Sequence, residues 1–206
     1  MSPRTADRGP RTALTIPNIL TLLRLLLIPF FLYASFRAMY TIAFVLFVSA
    51  ALTDILDGFI ARRLNQRTRL GALLDPAVDK MMMIAGYLFY TLAPLAERIP
   101  PWLTFTIFIR DFFIMVFAYL LYTRVKVTRF PPSLAGKVST VLQAFTLATA
   151  IAVNGLLPSL RWLAEFLFRA ALLITLFSAA DYLRRAERML LESAPGDRNS
   201  SAPVAS

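Results

Sequence analysis

Residues 53–80 read TDILDGFIARRLNQRTRLGALLDPAVDK, from Thr53 to Lys80. Four of the chain's twelve acidic residues, Asp54, Asp57, Asp75 and Asp79, fall here at spacings of three, eighteen and four. Residues three or four apart on a helix share a face. Asp54 and Asp57 therefore project together from the end of one helix, and Asp75 and Asp79 from the start of the next. The intervening LNQRTR is short and polar, so the two helices are expected to pack as an antiparallel hairpin whose acid pairs converge. Apolar sequence flanks the hairpin on both sides. Carboxylates at or near a hydrocarbon boundary are costly and are usually paired, metal-bound or functional.

Working outward, the chain is 58% hydrophobic with a mean hydropathy of +0.63, against roughly 45–50% apolar for an ordinary soluble domain. Apolar runs occupy about 14–36, 40–62, 72–95, 101–123, 134–156 and 160–182. Each reaches the length of about 20 residues that a membrane-crossing helix needs. The expected fold is all-α, a polytopic membrane bundle of six transmembrane helices. Residues 1–12 form a basic polar leader and 13–190 the membrane domain. Residues 191–206 form a tail with too little apolar content to fold. The first apolar run is too long for a cleaved signal peptide, and five more follow.

Loop charge gives the orientation. The leader, the second-to-third and fourth-to-fifth connections and the C-terminal end together hold fourteen basic residues. The three opposite connections hold one each, Arg37, Arg98 and Arg161. The positive-inside rule then puts both termini, and the aspartate hairpin, at the cytoplasmic face. The net charge of +10 fits this topology, and it also fits attraction to an anionic substrate or lipid. Basic residues spread through short loops, rather than over one soluble face, speak against nucleic-acid binding.

There is no cysteine and no histidine, which excludes disulfides, thiol nucleophiles, phosphohistidine and zinc sites built on those residues. Four carboxylates in one small volume repel one another unless cations intervene. Ligands offering only oxygen favour magnesium or manganese, with calcium possible. Gly58 and Ala61, on the turn after Asp57, allow close approach to the backbone, and Arg62 can hold a phosphate by charge-assisted hydrogen bonds. Such a set suits a ligand bearing a diphosphate. Taken singly, the residues have plainer readings. Asp75 before Pro76 is a common helix start, Asp54 and Asp57 can partner Arg62 and Arg63, and Gly58 can serve helix packing. Arg24, two turns into the first span, either snorkels to the surface or serves the site.

Taken together, Asp54-x2-Asp57-Gly58-x2-Ala61-Arg62-x8-Gly71-x3-Asp75-x3-Asp79 fills every fixed position of a long motif. The stretch resembles the signature of the CDP-alcohol phosphatidyltransferases, a family of six-helix membrane enzymes. The resemblance implies two divalent ions, Mg2+ or Mn2+, held by Asp54, Asp57 and Asp75, with Asp79 as general base and also near a metal. It further implies a CDP-diacylglycerol site lined by Gly58, Ala61, Arg62 and Thr68. The opening IPNILTLLRLLLIPFF is similar to the start of the phosphatidylglycerophosphate-forming branch, which would put Asn18 and Thr21 near the nucleotide. Gly136-Lys137-Val138 and Ala180-Asp181-Tyr182 also fit that branch, so the likeness extends over about residues 14–185.

In related enzymes, basic residues placed like Arg110 and Lys137 bind the phosphate of the acceptor, which would here be glycerol 3-phosphate. Alternatively Arg110 pairs with Asp111 or another acid inside the bundle. Arg110-Asp111 also resembles cardiolipin synthases of the same family, whose acceptor is phosphatidylglycerol. A small cation or proton transporter is the reading from another class. It is disfavoured because the acids gather at one membrane face rather than at the midplane of repeated halves. The resemblance implies a homodimer among membrane lipids. The short chain, without a transit-like leader, leads us to expect a bacterial inner membrane.

Overall fold

The computed structural model describes the backbone of residues 16–64, 69–120 and 133–193, and the side chains of 21–54, 78–117, 133–185 and 187. The described residues are helical, with no strand: α1 (Ile16–Phe36), α2 (Tyr40–Leu64), α3 (Arg69–Leu92), α4 (Pro101–Leu120), α5 (Leu134–Gly155) and α6 (Arg161–Ser193). A short 3-10 turn, Pro158–Leu160, precedes α6. These helices follow the six apolar runs closely. The main departure is α6, which continues well beyond the end of its apolar run near residue 182. The leader, the connection 65–68, the segment 121–132 and the tail from 194 lie outside the described residues.

Among the described residues, two helical stretches, Leu134–Gly155 and Pro158–Arg185, are long and apolar enough to cross a membrane, and Thr21–Phe36 and Tyr40–Asp54 are shorter apolar helices. Phe30, Phe105, Phe113, Phe145, Phe166 and Phe177 all stand exposed. So much large apolar surface is stable against hydrocarbon and would drive association in water.

The chain divides into two compact units. The first holds α1, α2, α3, the latter part of α5 from Leu147 and the start of α6. In it α1 packs against both α2 and α3. Small side chains Ala43 and Ala50, buried on α2 either side of Phe47, let the helices approach closely. Phe31 of α1 packs with Phe47 of α2 and Tyr90 of α3 at centroid distances of 6.1 and 6.5 Å. At Gly86 a Cβ would come within 2.5 Å of Leu147 Cδ2, so the missing side chain sets how closely α3 and α5 pack.

Polar groups fasten the connection between α3 and α4. Asn154 of α5 donates from Nδ2 to the Glu97 carbonyl (2.8 Å) and accepts from the Glu97 amide (3.2 Å). Arg161 pairs through Nε with the Glu97 carboxylate at 2.7 Å and donates to the Ala96 carbonyl. One short loop thus has its backbone groups satisfied by two later segments, as buried backbone requires.

The turn between α1 and α2 shows local strain. Met39 N–H donates to the Ala34 carbonyl at 2.8 Å and Ala38 N–H to the Ser35 carbonyl at 3.1 Å, the two bonds of a Schellman helix end. That ending needs a left-handed residue, and Ala38 supplies it with φ of 55°. A β-carbon there costs about 1 kcal/mol. Ala38→Gly should therefore raise the thermal midpoint in detergent by about 2–4 °C; an unchanged or lower midpoint would show that the turn carries no strain.

The second unit holds α4, the first part of α5 and most of α6. Ser133 caps α5, its Oγ accepting from the Gly136 amide at 2.9 Å, as an N-cap serine should. Between α5 and α6 lies a buried polar cluster in which Gln143 Nε2 donates to Ser139 Oγ (3.1 Å) and Thr175 Oγ1 (3.2 Å). Cross-helix bonds of this kind fasten helices where no water competes.

Candidate functional site

The first unit brings three charged side chains from three helices to one point. Arg24 of α1 is almost wholly buried, at 2% exposure, and its Nη1 lies 3.1 Å from Asp54 Oδ1 of α2. The same Nη1 donates to Asp79 Oδ1 of α3. The carboxylates remain accessible, Asp54 at 45% and Asp79 at 37% exposure. A buried cation thus lies under two partly open carboxylates. The geometry follows from the sequence. Asp54 lies ten residues before the last residue of α2, Asp79 ten residues after the first residue of α3, and α1 packs against both helices. Thr21, buried, lies one turn before Arg24 on the same face of α1.

This arrangement decides between the two readings of Arg24, which does not snorkel outward but bonds to the carboxylates. The expected convergence of the two halves of the hairpin is seen for Asp54 and Asp79. Asp57, Asp75, Gly58, Ala61 and Arg62 lie within α2 and α3, and Asn18 within α1, but their side chains lie outside the described residues, as does Thr68 altogether. One plain reading is corrected. Asp75 and Pro76 do not begin a helix, because α3 starts at Arg69, nearly two turns earlier. Pro76 lies seven residues after the first residue of α3, beyond the four N–H groups that a helix start leaves unpaired. Among the described residues no group of three or more carboxylates converges.

A second polar group lies in the other unit. Arg110 of α4, 8% exposed, pairs with Asp111 at 2.8 Å and donates from Nη2 to Ser178 Oγ of α6 at 2.6 Å. The alternative pairing with Asp111 is therefore realised. Gly136 makes room for this guanidinium, since a Cβ there would lie 3.3 Å from Arg110 Nη2 and 3.1 Å from Ser133 Oγ. Lys137, the next residue, is exposed. Beside Arg110 lies a cavity of about 240 Å3 whose walls include Phe113 and Phe117 of α4 and Leu176 and Leu183 of α6, with Tyr182. Ser133 and Ser178 were not among the sequence candidates. The Pro131-Pro132-Ser133 run signals a helix cap, whereas nothing in the sequence marks Ser178.

Helical described residues, with many large apolar side chains exposed and two acids gathered on a buried arginine, fit the class of helical membrane proteins that keep a polar site among their helices. More narrowly, the chain is a member of the CDP-alcohol phosphatidyltransferase family, whose sequence profile matches residues 14–178. It is 35% identical over 180 residues to the CDP-diacylglycerol–glycerol-3-phosphate 3-phosphatidyltransferase of Aquifex aeolicus, covering 87% of this chain and 99% of that protein. It is 33% identical over 193 residues to a probable phosphatidylglycerophosphate synthase of Mycobacterium tuberculosis, covering 90% and 88%. Human cardiolipin synthase (CMP-forming) is 36% identical over 156 residues, which are 67% of this chain and half of that protein.

Proposed function

We propose that this protein transfers the phosphatidyl group of CDP-diacylglycerol to glycerol 3-phosphate, giving phosphatidylglycerophosphate and CMP. The observation that carries the reading is the meeting of Asp54 and Asp79 on Arg24, inside the stretch that matches the family profile. Full-length similarity to the Aquifex aeolicus transferase supports the choice of acceptor.

Asp79 takes the proton of the acceptor hydroxyl as its oxygen attacks the phosphorus that carries the diacylglycerol. The phosphorus–oxygen bond to CMP breaks, and CMP leaves with the electron pair. Positioned proton transfer of this kind contributes about a hundred- to ten-thousand-fold to a rate. Asp54, Asp57 and Asp75 would hold two divalent ions, Mg2+ or Mn2+, with Asp79 beside them. The described donors fit such ions, since Asp54 and Asp79 are hard oxygen ligands from two helices, converging and partly open. When bound, the ions neutralise the phosphates and polarise the reacting phosphorus. Asn18, Thr21, Gly58, Ala61, Arg62 and Thr68 bind the CDP portion, and Arg110 with Lys137 the acceptor phosphate. Residues 13–190 form a six-span membrane domain in a bacterial inner membrane. Both termini and the site are at the cytoplasmic face, where CDP-lipid and soluble acceptor meet, and the chain works as a homodimer.

A second reading keeps the donor and makes phosphatidylglycerol the acceptor. It is favoured by the apolar cavity beside Arg110, which would accommodate part of an acyl chain, and by the likeness to human cardiolipin synthase. One experiment separates the two. Purified protein with CDP-diacylglycerol and Mg2+ is offered each acceptor in parallel, and CMP and the lipid product are measured. We expect CMP release with glycerol 3-phosphate and phosphatidylglycerophosphate as product. Release only with phosphatidylglycerol would transfer the assignment to cardiolipin synthesis, and no release with either would end the enzyme reading.

A further inference from the structure

Arg24 stands out because a guanidinium from outside the motif is buried against two of the motif's acids. Its whole side chain lies inside the first unit, and a single nitrogen, Nη1, reaches both Asp54 and Asp79. Burying a cation is costly unless it is paired, and removing a partner from a buried pair costs far more than forming the pair gains. The placement is therefore maintained by the carboxylates, which in turn are held by it. Two acids from different helices would otherwise repel and splay apart. Arg24 supplies the charge that keeps them together from beneath, leaving their other sides open to solvent.

This has a consequence for any cation the two acids bind. A fixed positive charge within hydrogen-bonding distance of the ligating oxygens makes shallower the potential well that a divalent ion would enter. It also fixes the ligands in advance, so less order has to be created at binding. The two effects oppose each other in affinity but act together in geometry. A guanidinium cannot lose its proton in a protein, so its charge is a constant of the site.

Resting on the function proposed above, we propose that Arg24 is the built-in counter-ion of the carboxylate site, positioning Asp54 and Asp79 for catalysis and holding the site's divalent-cation affinity down. Arg24 is a positioning residue in this scheme, acting through the two aspartates. A purely structural arginine would give the opposite sign: its loss would let the acids drift and would weaken cation binding.

The test uses the full chain in detergent, with Mn2+ binding followed by the electron paramagnetic resonance of the free ion and turnover by CMP release. Arg24→Gln removes the charge and keeps hydrogen-bonding capacity. It should bind Mn2+ on the order of tenfold more tightly even with water-like screening, while kcat falls about a hundredfold as the ligands lose their alignment. Arg24→Lys keeps the charge but not the fork. Its Mn2+ affinity should stay within about threefold of the parent, with kcat partly restored relative to Arg24→Gln. Unchanged or weaker Mn2+ binding in a folded Arg24→Gln protein would overturn the proposal. If that variant does not fold, Arg24→Lys decides alone, and a shift of Mn2+ affinity beyond tenfold would overturn it. A parent chain that binds no Mn2+ would overturn both this proposal and the metal-dependent function. A parent that binds Mn2+ but releases no CMP would overturn the function only.

Discussion

Asp79→Asn should abolish turnover, by about a hundred- to ten-thousand-fold in kcat, while leaving CDP-diacylglycerol binding close to that of the parent. The substitution is nearly isosteric and its amide oxygen can still accept from Arg24, so the contact joining α1 to α3 survives as a hydrogen bond from the guanidinium to a neutral acceptor. What is lost is the ability to take a proton. A base acts in the chemical step, so its removal lowers kcat and kcat/KM together without raising the dissociation constant of the donor lipid. The measurement is CMP release alongside equilibrium binding of CDP-diacylglycerol. Near-normal turnover would remove Asp79 from the role of base. Loss of donor binding with a preserved fold would make it chiefly a binding residue.

The sequence carried the helices further than it carried the contacts between them. The starts of α2, α4 and α5 fall on the starts of their apolar runs because the hydrocarbon-length stretches and the helical stretches coincide, as Tyr40 and Leu134 illustrate. The run at α6 stops near residue 182, yet the helix continues to Ser193. Leu183, Arg184, Arg185, Ala186 and Glu187 are good helix formers, and Arg185 bonds back to Asp181 at 3.0 Å across one turn. Hydropathy registers where a helix meets lipid and is blind to where it leaves.

The same limit governs the site. The pairing of Asp54 with Asp57 and of Asp75 with Asp79 is legible in the sequence because local periodicity fixes which residues of one helix share a face. That Arg24 lies beneath Asp54 and Asp79 depends on α1 packing against both α2 and α3, a long-range fact with no local signature. Arg110 shows a different limit. Neighbours in sequence do not normally face each other on a helix, but a long arginine side chain can fold back to Asp111, as it does here. Its other partner, Ser178, is 68 residues away, and only the folded chain reveals it.

The second large effect expected is loss of turnover on removal of divalent ions. Chelation should take CMP release to background, and Mg2+ or Mn2+ should restore it. The argument starts from the charges. Arg24 contributes one positive charge, Asp54 and Asp79 two negative charges, and the proposed ligands Asp57 and Asp75 would add two more. A site with that excess of negative charge repels the diphosphate of a CDP-lipid unless cations offset it. Asp54→Asn tests the same point on the protein. It keeps a hydrogen-bond acceptor for Arg24 but withdraws a charged ligand, and should lower kcat about a thousandfold, since a Lewis-acid contribution is worth several kcal/mol. Raising Mg2+ should recover part of that activity if the loss lies in metal affinity, whereas a base variant such as Asp79→Asn should gain nothing from it. Full activity after exhaustive chelation would require the phosphates to be neutralised by the protein's own cations. Arg62 would then be the first residue to substitute, because it is the arginine that the motif itself places one turn from Gly58.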